Sequence, residues 1–316
     1  LNGAEARALL GQVREAVHAA VVGRDAALDQ VTVGLVADGH LLLEDLPGLG
    51  KTLMARSFAA ALGLTFHRLQ FTADLLPHDI TGGEMYDAKN GEFTFRPGPL
   101  FTHLLLADEI NRAPPKVQSA LLEAMQEFQV TSERGTYPLE RPFLVLATQN
   151  PLELEGTYPL PEAQVDRFLM RLSVGYPTRD EERTILARRR LRKQDEVTIP
   201  AVLDLEQFRG IQRAAEEVEV DPALEAYAVD VVAATRNDPR VDVGASPRGS
   251  LALLKLSRAR ALVEGRDYVV PDDMRSLGIP ALAHRVLVKP EPWIRGVRGA
   301  QIVQQALDRV PVPKVP

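Results

Sequence analysis

The chain has 316 residues, with 37 lysines and arginines against 43 aspartates and glutamates, a formal net charge of −6. At roughly 100 to 200 residues per domain this length predicts two domains, and 45% hydrophobic with 25% charged residues excludes general disorder. The lack of cysteine removes disulfides, thiolate metal sites and cysteine nucleophiles together and fits a reducing, cytoplasmic setting, while the mild acidity argues against general nucleic-acid binding.

No run reaches the roughly 18 uninterrupted apolar residues of a membrane helix, because Asp38 and His40 break one candidate and Thr102 and His103 another. The opening Leu1-Asn2-Gly3-Ala4-Glu5-Ala6-Arg7 shows no basic segment followed by an apolar core. Leu9, Leu10, Val13, Val17 and Val21 recur at spacings of three and four, which predicts an amphipathic helix over residues 4–21 and then a turn at Val22-Gly23-Arg24. Short apolar runs at His40–Glu44, Thr65–Phe71, Leu104–Asp108, Phe143–Thr148 and Phe168–Val174 alternate with helical patterns. Five such runs predict a mostly parallel sheet covered by helices.

Two segments interrupt that scheme. Asn90-Gly91 is a two-residue hairpin turn flanked by Met85, Tyr86, Phe93 and Phe95, and residues 128–143 read as a second hairpin turning at Glu133-Arg134-Gly135. They are either plain surface hairpins or a contact surface. Beyond Tyr176-Pro177 helix-start signals take over: Thr178 with Glu181 and Asp204 with Gln207 have capping-box spacing, while Asp221-Pro222 and Ser246-Pro247 place a capping side chain before proline. The expectation is an α/β domain over residues 1–177 and a smaller, mostly helical one over 178–316, closing in an extended tail from Val310.

The strongest chemical signal is Leu41-Leu42-Leu43-Glu44-Asp45-Leu46-Pro47-Gly48-Leu49-Gly50-Lys51-Thr52, followed by a helical pattern from Leu53. Strand, glycine-rich turn and helix form the setting of a phosphate loop. Pro47, Gly48, Leu49 and Gly50 would wrap a phosphate with inward-pointing amides, and the helix start at Lys51, Thr52 and Leu53 adds donors and partial positive charge. Lys51 would reach the β and γ phosphates and Thr52 would ligate magnesium. Asp45 stands where the general pattern has glycine. A second signal, the apolar strand ending in Asp108-Glu109, supplies two carboxylates. Adjacent residues on a strand point to opposite faces, so where the strand gives way to a loop the two can divide labour: Asp108 would hold the magnesium shell and Glu109 would orient and deprotonate the attacking water. A third, Phe143 to Asn150, ends at the same sheet edge, where ligands of parallel sheets bind; Asn150 would hold water or the γ phosphate, although Asn before Pro151 also suits a turn.

With Lys51, Asp108, Glu109 and Asn150 in this order, the chain resembles the AAA+ ATPases, and several phrases are similar to the MoxR family within them. These are Gln70-Phe71-Thr72-Ala73-Asp74-Leu75-Leu76-Pro77, Asp108-Glu109-Ile110-Asn111-Arg112-Ala113, Ala147-Thr148-Gln149-Asn150-Pro151 and Pro161-Glu162-Ala163-Gln164-Val165-Asp166-Arg167-Phe168. The similarity covers nearly the whole chain. An acidic residue before the Pro-Gly of the loop is common in that family, so Asp45 departs from the general pattern only; Gly249 after Arg248 stands where alanine is expected.

The resemblance implies an AAA+ α/β fold, a parallel five-stranded sheet covered by helices with two hairpin insertions, plus a smaller C-terminal all-helical lid domain. It implies ATP/ADP and Mg2+ as cofactors, Asn150 as sensor 1, Arg167 as an arginine finger that reaches the neighbouring subunit's ATP, and Arg248 as sensor 2. Val21-Val22-Gly23 would lie near the adenine, with Val22 and Gly23 as the binding residues. Because a finger acting in trans needs a ring, the implied form is a nucleotide-dependent hexamer, and the implied partners are protein clients, often with von Willebrand factor A domains.

Arg248 follows Ser246-Pro247 in the first turn of a helix, where a cation opposes the helix dipole and calls for an anionic partner. The basic run Arg188-Arg189-Arg190-Leu191-Arg192-Lys193 lies between acidic neighbours and reads as a solvated helix face. The six histidines have no zinc-site spacing, and Trp293 reads as an anchor within the helical half. Two alternatives compete with a protein-remodelling ATPase. A nucleic-acid-translocating motor conflicts with the first hairpin, where Glu84, Asp87 and Glu92 outnumber Lys89 and Arg96. A non-hydrolysing ATP-regulated scaffold has no need of Glu109 and Arg167.

Overall fold

The computed structural model describes residues 2–89, 91–132, 135–152 and 156–314. Among them, five strands form a parallel sheet in the spatial order Phe66–Gln70, Leu104–Asp108, Leu144–Gln149, Leu41–Glu44, Met170–Leu172. All five expected runs are strands. The central ones are apolar up to their carboxyl ends because both faces are covered. Leu104 and Leu106 join a cluster with the helices Gly3–Ala20, Asp25–Val36 and Lys51–Ala61, whereas Leu105 and Ala107 join a second cluster with the helix Pro115–Glu127. The edge strand Phe66–Gln70 instead exposes His67, Arg68 and Gln70, a polar rim that discourages further strand pairing.

The parallel register fixes what meets at the carboxyl edge. Gln70 lies beside Asp108, and Leu43 beside Thr148. Both hairpins are present, Gly82–Asp87 pairing with Glu92–Pro97 and Gln129–Thr131 with Thr136–Pro138, both antiparallel. Asn90 of the first expected turn and Glu133 and Arg134 of the second lie outside the described residues. The two hairpins are fastened together: Phe95 stacks on Tyr137 with ring centroids 3.7 Å apart, and Tyr137 Oη and Ser132 Oγ donate to Glu84 Oε1 at 3.0 and 3.3 Å.

Beyond the last sheet strand the chain is mainly helical, with long helices at Arg179–Arg192, Leu205–Glu216, Pro222–Arg236, Pro247–Val263, Pro271–Leu282 and Gly299–Arg309. Each capping side chain singled out above accepts a backbone N–H of the first turn: Thr178 from Glu181, Asp204 from Gln207, Asp221 from Ala223 and Ser246 from Arg248. The expectation of an all-helical lid needs one amendment, since Val241–Val243 pairs antiparallel with Leu287–Val288. Strands of three and two residues are too short to leave a period in the sequence. The expected boundary at residues 177/178 falls in the extended segment between Met170–Leu172 and Arg179–Arg192. Apolar packing runs across it, because Leu253, Leu256 and Leu282 belong to the same cluster as Leu41, Leu43 and the N-terminal helices. Gly249 explains its own departure: a Cβ there would stand 2.8 Å from Leu282 Cδ2, so alanine would have to displace a buried side chain.

Candidate active site

The turn after Leu41–Glu44 reverses at Gly48 and Gly50, whose φ values of 79° and 80° lie in the left-handed region open to glycine. Gly50 caps the helix that starts at Lys51. A cavity of about 440 Å³ brings Pro47, Gly48, Leu49, Gly50, Lys51, Thr52 and Leu53 together with Arg68, Gln70, Asp108, Glu109, Thr148 and Asn150. Lys51 Nζ donates to the carbonyls of Asp45 and Leu46 at 2.9 and 3.2 Å. Burial lowers its pKa, and the charges of Asp45, Asp108 and Glu109 oppose the shift and favour the ammonium form. Val22 and Gly23 do not line this cavity. Their turn reaches the loop through Arg24, whose Nη1 lies 3.2 Å from the position a Cβ of Gly50 would take.

The acidic pair departs from simple strand alternation. The strand ends at Asp108, and Glu109 takes a left-handed backbone, φ 59° and ψ 49°, before the 3-10 turn Ile110–Arg112. That conformation is strained for a non-glycine residue, and it turns Glu109 into the same cavity as Asp108 rather than to the opposite face. A closed network holds both. Thr148 Oγ1 donates to Asp108 Oδ1 at 2.7 Å and accepts from the Glu109 N–H at 2.8 Å. Arg68 donates through Nε and Nη2 to Asp108 Oδ2 at 3.1 and 2.7 Å, and through Nη2 to Gln70 Oε1 at 3.0 Å. Gln70 Nε2 in turn donates to Glu109 Oε2 at 2.6 Å, and Arg112 Nε lies 3.0 Å from the same oxygen. Asn150 lines the cavity and also makes the expected turn, its Oδ1 accepting from the Leu152 N–H at 3.1 Å.

Among the described residues no group of three or more His, Cys, Asp or Glu could hold a metal. The hydroxyl of Thr52 and the carboxylate of Asp108 in one cavity are an all-oxygen donor set of the kind Mg2+ uses when phosphates and water complete its shell.

Arg167 and Arg248 lie elsewhere. They line a second cavity, of about 220 Å³, together with Lys255, Arg285, Asp38 and Asp166. Arg167 Nη1 donates to the Leu122 carbonyl at 2.7 Å rather than pairing with Asp166 or Glu162. Asp166 instead accepts the Arg285 guanidinium and, at 3.1 Å, the Ser246 hydroxyl, with Arg248 Nε 4.0 Å away. It is the anionic partner that the first-turn position of Arg248 calls for. Arg285, buried, also donates to the carbonyls of Ala281 and Phe168 at 2.8 and 2.7 Å, and so fixes the turn that carries Arg167.

Residues 40–170 match the ATPase family associated with various cellular activities (AAA), and residues 233–306 match the AAA lid domain. Chaperone MoxR1 of Mycobacterium tuberculosis is 44% identical over 304 residues, covering 93% of this chain and 80% of that protein. The chain belongs to the MoxR family of AAA+ ATPases. The uncharacterized protein YeaC of Bacillus subtilis is 48% identical over 306 residues, 96% of this chain and 95% of its own. The crystal structure of a candidate ATPase from Cytophaga hutchinsonii superposes with a TM-score of 0.92 at 39% identity, covering 99% of this chain and 97% of that one.

Within this MoxR-family fold the motif-bearing residues Lys51, Thr52, Asp108, Glu109 and Asn150 share one cavity. Arg68, Gln70, Thr148 and Arg285 were not singled out from the sequence. Arg68 and Gln70 sit two apart on one strand and therefore share a face, but their pairing with Asp108 depends on inter-strand register, which no local spacing reveals. Gln70 and Thr148 both lie in the family-like segments, but neither carries a local mark of its role.

Proposed function

We propose that this MoxR-family, chaperone-like protein hydrolyses Mg-ATP at the subunit interfaces of a homo-oligomeric ring, a nucleotide-dependent hexamer, and uses the cycle to remodel protein clients in the cytoplasm. Proteins with von Willebrand factor A domains are the expected clients. Residues 1–177 serve as the nucleotide-binding core and residues 178–316 as the lid. The observation that carries this reading is the separation of the two cavities: Lys51, Thr52, Asp108 and Glu109 line one, whereas Arg167 and Arg248 line the other. A neighbour in a ring would bring the missing cations to the phosphates.

In this reading the amides of Gly48 to Thr52 and the Lys51 ammonium bind the phosphates, and Thr52 and Asp108 hold the metal. When bound, Mg2+ neutralises charge on the β and γ oxygens. Glu109 accepts the proton of the attacking water, Gln70 and Arg112 hold its carboxylate in place, and Asn150 orients the water. Arg167 and Arg248 of an adjacent protomer meet the charge that develops in the transition state. The name chaperone given to a relative favours protein clients over nucleic acid, as does the acidic balance of the first hairpin. No helix among the described residues is long and apolar enough to cross a membrane.

The test combines concentration dependence with one variant. Specific ATPase activity rises with protein concentration, and Arg167→Ala binds ATP normally while hydrolysing about three to five orders of magnitude more slowly, the range of arginine fingers. Turnover independent of concentration and untouched by Arg167→Ala rejects the shared site.

A further inference from the structure

The residue that breaks the general phosphate-loop pattern, Asp45, is almost fully buried and takes no part in the catalytic assignments above. Its carboxylate does not face the sheet edge alone. Oδ1 accepts from the Ser173 hydroxyl at 2.7 Å and from the Gly175 N–H at 3.2 Å, and Oδ2 accepts from the Val174 N–H at 2.5 Å. Two successive amides and a hydroxyl form a concavity suited to an anion, and Gly175, at φ 71°, supplies the left-handed turn within it. These three residues belong to the strap that leaves the last sheet strand, Met170–Leu172, and enters the lid at the helix Arg179–Arg192. The same Asp45 offers its backbone carbonyl to Lys51 Nζ at 2.9 Å. One residue thus touches the phosphate-binding ammonium with its main chain and the route to the lid with its side chain.

We propose that Asp45 is a positioning residue that ties the phosphate loop to the core–lid strap, so that a change in what Lys51 holds is carried to the lid. This rests on the reading of the loop as a nucleotide site. When phosphate draws the ammonium away from the Asp45 carbonyl, the loop segment at residues 45–46 relaxes and the strap, held by three bonds to the same residue, moves with it. Glycine at position 45 would suit a phosphate loop equally well but would leave the strap unmoored. Asparagine would fit the space yet set an amide donor against one of the strap's donors, so Asp45→Asn separates charge and acceptor number from shape.

The experiment is backbone hydrogen exchange at Val174 and Gly175 in the full chain, with and without Mg-ADP, alongside calorimetric titration of ADP and steady-state ATPase kinetics. In the wild type, ADP changes the exchange of these amides. Asp45→Asn binds ADP within about threefold of wild type, exchanges Val174 and Gly175 about tenfold faster, as loss of one charge-assisted bond gives, and no longer responds to ADP there; kcat falls with little change in KM. Ser173→Ala, which leaves the loop intact, shows the same changes in weaker form and has no further effect in the Asp45→Asn background. An undiminished ADP response in both variants, or fully additive effects, overturns the tie while leaving the nucleotide site standing. Failure of the wild type itself to bind ADP overturns the nucleotide reading and the tie with it.

Discussion

Glu109 is held at its carboxylate by Gln70 and at its amide by Thr148, on a left-handed backbone that these bonds help to keep in place. Two consequences belong to this scale. Glu109→Gln removes the proposed base while leaving its shape, so on that reading ATP binding persists and single-turnover hydrolysis falls by about two to four orders of magnitude. Gln70→Ala removes the 2.6 Å bond that orients the proposed base and the 3.0 Å bond from Arg68, while Arg68 keeps its two bonds to Asp108; kcat falls about tenfold while ATP affinity measured by titration stays within twofold. Equal losses in kcat and affinity would instead assign Gln70 to binding. Lys51 and Thr52 were legible in the sequence because a glycine-rich turn opens a helix there, and Asp108, Glu109 and Asn150 because they end apolar runs and parallel strands end at a common edge. Arg68 and Gln70 were not, because edge-strand residues gain their partners from register, and the left-handed turn at Glu109 overrode the alternation that adjacent positions suggest.

Between elements, the decisive contact is the one that joins the turn after the short helix Glu162–Val165 to the two lid helices Pro247–Val263 and Pro271–Leu282. Asp166 accepts from Ser246 of one and from Arg285 beyond the other. With the Arg285 side chain 3% exposed, its removal leaves a carboxylate and several carbonyls without their buried donor, so Arg285→Ala lowers stability by about 3–5 kcal/mol in urea unfolding. Arg167→Ala, whose bond is to a single carbonyl, lowers it by no more than about 1–2 kcal/mol. The helices themselves could be placed from sequence since caps are local: Thr178, Asp204, Asp221 and Ser246 need only their own first turns. The ribbon of Val241–Val243 with Leu287–Val288 joins segments far apart in the chain, and nothing local announces it.

Across the whole molecule, buried histidines make stability depend on pH: burial lowers the pKa of His103, and that of His40 and His284 by more. His40 accepts the Val145 N–H at Nδ1 and lies 3.0 Å from the Met125 carbonyl at Nε2, and burial pulls its pKa down to about 4. His284 is pulled down to about 3, first by burial and then by the Arg285 and Arg171 charges. Both bind protons more readily when unfolded, with an ordinary value near 6.5. Their contribution is therefore complete above about pH 6.5 and is lost as pH falls through the window down to about 4 for His40 and about 3 for His284. The melting temperature should drop through that range, and His40→Gln should flatten the upper part of the fall. A profile that is level from pH 7 to 4 would rule this out.

The fastening of the two hairpins bears on how force would travel. The first hairpin grows from the chain between Phe66–Gln70 and Leu104–Asp108, and the second from the chain between Leu104–Asp108 and Leu144–Gln149. Those three strands are neighbours, with the Asp108 strand in the middle. Joined through Glu84, Phe95 and Tyr137, the insertions form a bracket between the two connections that enter and leave the Asp108 strand. A load on either tip is therefore shared by both hairpins as long as these contacts hold. The connections that share it lead to the strand bearing Arg68 and Gln70 on one side and the strand bearing Thr148 on the other, the residues that grip Asp108 and Glu109.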